Sequence, residues 1–239
     1  MNRQEHYRQE YRRIKPGWQD SQARYCAQVG ALVGKATHVL DLGCGSAGCL
    51  RDIYARTPYV YGLDPDHTAL RRNTTLAGRA AGAGERLPFA DGSFDLVTLA
   101  WVLEHLDEPQ QVLRELRRVL RPGGRVVFLT PNAWNYNVWL IRAVPNRLHP
   151  YFTRALYSRR EHETYPVRYR ANTLWRIDAA MREAGLRMQH CELNGDPTYI
   201  SFTPRLFRLA CAIEALLDRP ALRLARVHLI GVYQKPRRD

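Results

Sequence analysis

The sequence predicts an α/β protein built on a doubly wound, mostly parallel sheet with one inserted segment. Three observations predict it. Strand-length apolar runs alternate with helix-length amphipathic runs between residues 37 and 131. A turn holding Gly43, Gly45 and Gly48 follows the first of those runs directly. The alternation then breaks off after residue 131 and resumes after residue 170.

Residues 1–17 are polar and aromatic, with Tyr7 and Tyr11 at helical spacing. Residues 18–34 place Tyr25, Val29, Leu32 and Val33 on one side of a helix. The run 37–42 reads as a buried strand. Residues 47–57 follow as a helix with Ser46 as its cap. A strand over 59–64 and a helix over 66–78, capped by Asp66, repeat the unit. A strand over 94–100 leads to an amphipathic helix over 108–120, which "RPGG" stops. A strand over 125–131 closes the series, and right-handed crossovers join such strands. Beyond the break come a helix over 171–185, a strand over 186–193, an amphipathic helix over 204–218 and a last strand over 227–235. A structureless loop as long as 132–170 is uncommon inside a compact domain, so it is expected to be a lid. The division expected is a helical cover over 1–36 and one domain over 37–239.

The chain has 239 residues, enough for one sizeable core. Its 45% hydrophobic and 25% charged content is that of a soluble globular protein. No apolar run is long enough to span a bilayer, and the start lacks the apolar core of a secretory signal. A cytoplasmic protein is therefore expected. The five cysteines form no CxxC pair and read as reduced thiols. The net charge of +13 is uneven: 18 basic against 14 acidic residues over 1–131, but 18 against 9 over 132–239. Such a bias suits an anionic lipid surface, a phosphorylated substrate, or solubility alone. With no nucleic-acid module signature, nucleic acid is not an expected partner.

The glycine turn carries the chemistry. Open α/β sheets bind ligands at the carboxyl ends of their strands, and glycines let the backbone come close. The spacing GxGxxG alone also fits a dinucleotide site. Here Asp41 stands at the strand tip, two residues before Gly43. A carboxylate there repels a pyrophosphate and suits an ammonium group. Asp64 ends the next strand, 19 residues after Gly45, where an acid accepts hydrogen bonds from ribose hydroxyls. An amine, a ribose and no phosphate together describe S-adenosylmethionine.

Five segments in order carry a family resemblance: "VLDLGCGSAG" (39–48), "VYGLDPD" (60–66), "GERLPFADGSFDLV" (84–97), "LAWVLEHLDEP" (99–109) and "LRELRRVLRPGGRVVFLTPN" (113–132). Over residues 37–131 the chain resembles class I methyltransferases dependent on S-adenosylmethionine, in the small-molecule branch that includes the ubiquinone and menaquinone enzymes. The resemblance implies a Rossmann-like sheet of seven strands, the last antiparallel, with the lid inserted after the fifth. It implies that the backbone at Gly43, Cys44 and Gly45 lies against the amino-acid end of the cofactor, which Asp41 orders. Asp64 binds the ribose, Pro65 packs on adenine, Gly84 and Glu85 pass the adenine edge, and Ala100 and Trp101 lie near the methyl group. Tyr11 and Trp18 are expected to cover the site. Ala83 stands where the family often has an aspartate for the adenine amino group. That contact is lost, replaced by Glu85, or made by backbone.

Methyl transfer from a sulfonium asks the protein mainly to align a nucleophile and exclude water. An acceptor hydroxyl also benefits from a base near neutrality, for which His105 is the candidate; its other reading is to order the loop. For the acceptor, the lid offers Trp134, Tyr136, His149, Arg160 and His162, with Trp101 beside them. The same aromatics also read as a small core of the lid. No metal is expected, because "REHE" lacks further ligands at the right spacing. The helix at 204–218 reads either as a docking element or as a membrane-surface helix that admits a lipid-linked acceptor. The expected function is methyl transfer to a small or lipid-linked molecule on oxygen. RNA or protein methylation, and a non-catalytic scaffold that binds the cofactor, are the alternatives.

Overall fold

A computed structural model describes residues 2–46, 48–143 and 166–237. These fall into two compact units. One comprises residues 22–130, 167–192 and 229–239, and the other residues 1–21, 131–166 and 193–228.

The first unit is organised by a seven-stranded sheet in the order β3-β2-β1-β4-β5-β7-β6. In chain order the strands are β1 Val39–Leu42, β2 Val60–Asp64, β3 Gly78–Ala81, β4 Phe94–Ala100, β5 Leu120–Pro131, β6 Arg187–Asn194 and β7 His228–Gln234. β1 pairs in parallel with both β2 and β4, with Asp41 opposite Gly62 on one side and Thr98 on the other. β2–β3 and β4–β5 are also parallel. β7 runs antiparallel: Gly123 near the start of β5 bonds Lys235 just past the end of β7, and Asn132 just past β5 bonds Val227 just before β7.

The central strands are apolar because both their faces are covered. All four residues of β1 are buried. One face packs Val39, Val60, Leu96, Val127 and Leu129 against Tyr25 and Val29 of α2 (Ser21–Gly30) and Ile53 and Tyr54 of α3 (Arg51–Tyr54). α4 is His67–Arg72. α5 (Pro109–Val119) buries Val112, Leu113, Leu116 and Val119, the stripe that its heptad-like spacing foretells.

Among the boundaries that differ from the sequence expectation, three shape the loops of the sheet. The helix expected over 47–57 is the single turn α3; its cap position is Leu50, which makes no side-chain bond, and Ser46 does not cap it. The helix expected to run to residue 78 ends at Arg72. Asp66 caps its start through Thr68 and Ala69, as expected, but Asn73 leaves helical geometry. There the Asn73 side chain bonds Thr75 and the glycine turn, while Arg79 donates to the carbonyls of Leu70 and Asn73. Local side-chain bonding of this kind competes with helix. The segment "RPGG" ends α5 as expected, yet the chain passes straight into β5 and stays in the sheet through it. Gly123, at φ +83°, supplies the left-handed backbone this requires.

The second unit begins with α1 (Arg3–Ile14), whose start Asn2 caps by accepting from Glu5. Tyr7 stacks on Phe207 at 4.6 Å and Tyr11 meets Trp18 edge-on at 4.9 Å. The Trp18 ring N–H donates to the Gly195 carbonyl at 3.0 Å. Arg8 pairs with the buried Asp196 at 3.0 Å. α6 spans Tyr136–Ala143 in this unit, and α7 (Leu174–Glu183) belongs to the sheet unit. α8 (Pro204–Leu216), capped by Thr203, turns Phe207, Ala210 and Glu214 inward. The Tyr136 hydroxyl donates to Glu214 at 3.2 Å beside Leu217, Ala225 and Val227.

Candidate functional site

The site is built where β1, β2 and β4 end. Asp41, the third residue of β1, is only 8% exposed. Its Oδ1 accepts from the Thr98 hydroxyl at 3.1 Å, and that hydroxyl lies 2.7 Å from the Tyr54 hydroxyl. Burial pushes the Asp41 carboxyl up to about 7; the Thr98 and Tyr54 hydroxyls pull it back, and Asp64 adds to the rise.

The turn after β1 is held from below and open above. Asp64, also buried, accepts from the Gly45 N–H through Oδ2 and from the Asp66 N–H through Oδ1, both at 2.8 Å. The Asn73 amide, 2% exposed, donates to the carbonyls of Cys44 and Gly45 at 3.3 and 3.1 Å. Gly43 sits at φ +73°, and a Cβ there would collide with Val102 of the loop after β4. Gly45, at φ +51°, differs: a Cβ would meet no protein atom within 4 Å. So Gly43 packs two loops together, whereas Gly45 faces open space. Cys44 is buried, and burial raises its thiol to about 12, so it is an inert thiol.

Pro65 is exposed beyond β2. Gly84 is buried against Val112 and Leu42, and the Glu85 carbonyl accepts from Gln111 at 3.2 Å. The following loop is held by α5, through Glu115 on the Leu87 N–H and Arg118 on the Leu87 and Phe89 carbonyls. Ala83 is exposed.

Ala100 ends β4, and Trp101 follows at φ +61°, with its N–H on the Leu129 carbonyl at 2.8 Å. A non-glycine residue in that region stores about 1–3 kcal/mol of strain and marks functional loops. Tyr169, at φ +51°, bonds the same loop through the Glu104 carbonyl. His105 is half-buried in the short turn Leu103–His105. Beside it Glu104 is buried and accepts from the Thr130 hydroxyl at 2.9 Å.

The sheet unit therefore gathers Asp41, Gly43, Cys44, Gly45, Asp64, Pro65, Gly84, Glu85, Ala100, Trp101 and His105 on the strand tips and following loops at one end of its parallel strands. Trp134 and Tyr136 belong to the other unit: Trp134 is 46% exposed and edge-on to Trp139, and Tyr136 is buried on Glu214. His149, Arg160 and His162 lie outside the described residues. Sequence reasoning missed Thr98, Tyr54 and Asn73. Thr98 had a signal, a hydroxyl interrupting the apolar run of β4; the other two had none.

Residues 40–128 match the model of a methyltransferase domain. Over that segment the chain is similar to methyltransferase domains. A demethylmenaquinone methyltransferase from Mycolicibacterium paratuberculosis is 34% identical to it over 135 residues, 53% of this chain and 59% of that relative. The match thus spans less than two thirds of the relative's length. Among solved structures, the S-adenosylmethionine dependent methyltransferase from Mesorhizobium loti superposes with a TM-score of 0.58 at 19% identity, covering 90% of this chain and 98% of that one. The cyclase SpnF superposes at 0.57 and 17% identity, covering 93% and 84%. Likeness at that level concerns the fold alone, and a cyclase on the same fold shows why.

The resemblance implies S-adenosylmethionine as cofactor, and the residues present fit it. The turn offers open backbone at Gly45 and two buried carboxylates. The groups that perturb Asp41 include no cation. That donor set suits an ammonium and a pair of hydroxyls and disfavours a phosphate.

Proposed function

We propose that the chain transfers a methyl group from S-adenosylmethionine to oxygen on a small, lipid-soluble acceptor. The observation that carries this reading is the pair of buried acids at the tips of β1 and β2, around an open glycine turn within the matched domain. The similarity to a demethylmenaquinone methyltransferase supports an acceptor of lipid character.

When bound, S-adenosylmethionine supplies a methyl group on a sulfonium, open to in-line displacement. The protein's residues do the rest. Asp41 receives the ammonium, and Asp64 accepts the ribose hydroxyls while it keeps the Gly45 and Asp66 N–H groups. Pro65 and the Gly84–Glu85 backbone flank the adenine. Ala100 and the strained Trp101 border the reacting carbon and exclude water. His105 takes the proton that the acceptor hydroxyl gives up. The test is incubation of methyl-labelled cofactor with fractionated cell extract. Label is expected in a lipid fraction. Label in RNA or protein, or in no fraction, overturns the reading.

We place the protein at the inner face of the membrane, through α8. No helix among the described residues is long and apolar enough to cross a membrane. Yet Leu209 and Leu216 are 53% and 45% exposed on α8, beside the exposed Arg205 and Arg208. Leucines facing water next to arginines suit an anionic lipid surface. Leu209→Glu with Leu216→Glu is expected to abolish co-sedimentation with phosphatidylglycerol vesicles. Sedimentation equal to the parent's, or none by the parent, contradicts it.

A further inference from the structure

Asp41 is not a bare acid at a strand tip. It stands at the end of a chain of hydroxyls. Tyr54 Oη on α3 lies 2.7 Å from Thr98 Oγ1 on β4, and Thr98 Oγ1 lies 3.1 Å from Asp41 Oδ1. All three are at least nine-tenths buried. Thr98 has one hydrogen and three acceptors in reach: Tyr54 Oη, Asp41 Oδ1 and, at 3.4 Å, the Leu40 carbonyl. With Asp41 ionised, Thr98 donates to it and Tyr54 donates to Thr98. With Asp41 protonated, its O–H points at Thr98, which turns to Leu40. The chain thus has two settings, and the first is the one a cationic ligand needs.

The groups around the carboxylate make this chain its main support. Asp64 on β2 raises it, and the Thr98 and Tyr54 hydroxyls are what lower it. Tyr25 on α2 interacts with the same charge, as do Cys44 and Cys49 on the turn, and Cys26 lies against Cys49. None of these is a cation.

We propose that Thr98 and Tyr54 are positioning residues that hold Asp41 ionised and aimed at the cationic end of the bound cofactor. This rests on the reading of Asp41 as the ammonium's partner. The two residues touch no substrate and act through the carboxylate.

The test is calorimetric titration of S-adenosylmethionine into the full chain from about pH 6 to about pH 9, the range in which a carboxyl near neutrality changes charge. The proteins are the parent, Thr98→Val, Tyr54→Phe, Thr98→Ser and Asp41→Asn. Ionisation of the ligand is common to all and cancels in the comparison. In Thr98→Val, affinity near pH 7 is expected to fall about tenfold, the worth of one hydrogen bond to a charged group, and the midpoint of its pH dependence to move up. Tyr54→Phe should shift the midpoint the same way by less, and Thr98→Ser should restore the parent curve. A merely structural role would lower affinity without moving the midpoint. Both substitutions are near-isosteric and on different elements, so a folding defect in one leaves the other to decide. Unchanged midpoints in the folded variants, with Asp41→Asn weakened, overturn the proposal alone. Parent-like binding by Asp41→Asn overturns the reading beneath it.

Discussion

Asp41→Asn is expected to make the protein more stable above neutral pH while it weakens the cofactor about ten- to a hundredfold. The two effects have one cause. In the folded chain burial raises the Asp41 carboxyl from its ordinary 3.8 to about 7. A raised acid binds more protons folded than unfolded across that window. Stability therefore falls as pH rises through it, and the full cost remains above about pH 7. Asparagine carries no charge to bury, so the cost disappears. The gain reads as about 2–4 °C in Tm for each kcal/mol in a chain of this size. Burial likewise raises Glu214 to about 7 and lowers His228 to about 4, but both titrate alike in parent and variant and cancel in the difference. The loss in affinity is that of a charged hydrogen bond. Thermal melts at about pH 8, paired with titrations, check both halves. A variant both less stable and fully binding refutes the account of Asp41. Marginal stability given up at a binding site is a general pattern.

Asp64→Ala is expected to abolish detectable cofactor binding. The carboxylate has two tasks. It accepts from Gly45 and Asp66, fixing the glycine turn and the entry to α4, and in the proposed reading its remaining lone pairs serve the ribose hydroxyls. Alanine leaves the partly buried Gly45 N–H without its acceptor and removes the ribose contact as well. Asp64→Asn separates the tasks. Its one acceptor oxygen keeps one backbone N–H, so it should melt nearer the parent than alanine does while it still binds weakly. Melting curves and titrations of both variants check this. An alanine variant that binds normally sinks the ribose assignment.

The parts of the fold legible in the sequence were those written in periodicity. β1, β2, β4 and β5 are apolar runs bounded by turns, and α5 shows its stripe. β3 was invisible, because Gly78-Arg79-Ala80-Ala81 has no β-branched or aromatic residue; the edge of the sheet recruits it, not its own propensity. The end of α4 was misread for a related reason. Asn73 bonds a turn 28 residues earlier, and a window of local sequence carries no trace of that. The candidate site divides in the same way. Its acids and glycines stand at strand tips, where spacing exposes them. The Tyr54–Thr98 chain depends on α3 and β4 meeting across 44 residues, and only folding brings those hydroxyls together.

The central claim is that the acids at the tips of β1 and β2 select a cationic nucleoside over a phosphorylated one. Titration of the full chain with S-adenosylmethionine and, separately, with NAD tests it most directly. Saturable binding of the first and none of the second is the expected result. NAD binding that Asp64→Ala abolishes, with no heat from S-adenosylmethionine, would contradict it.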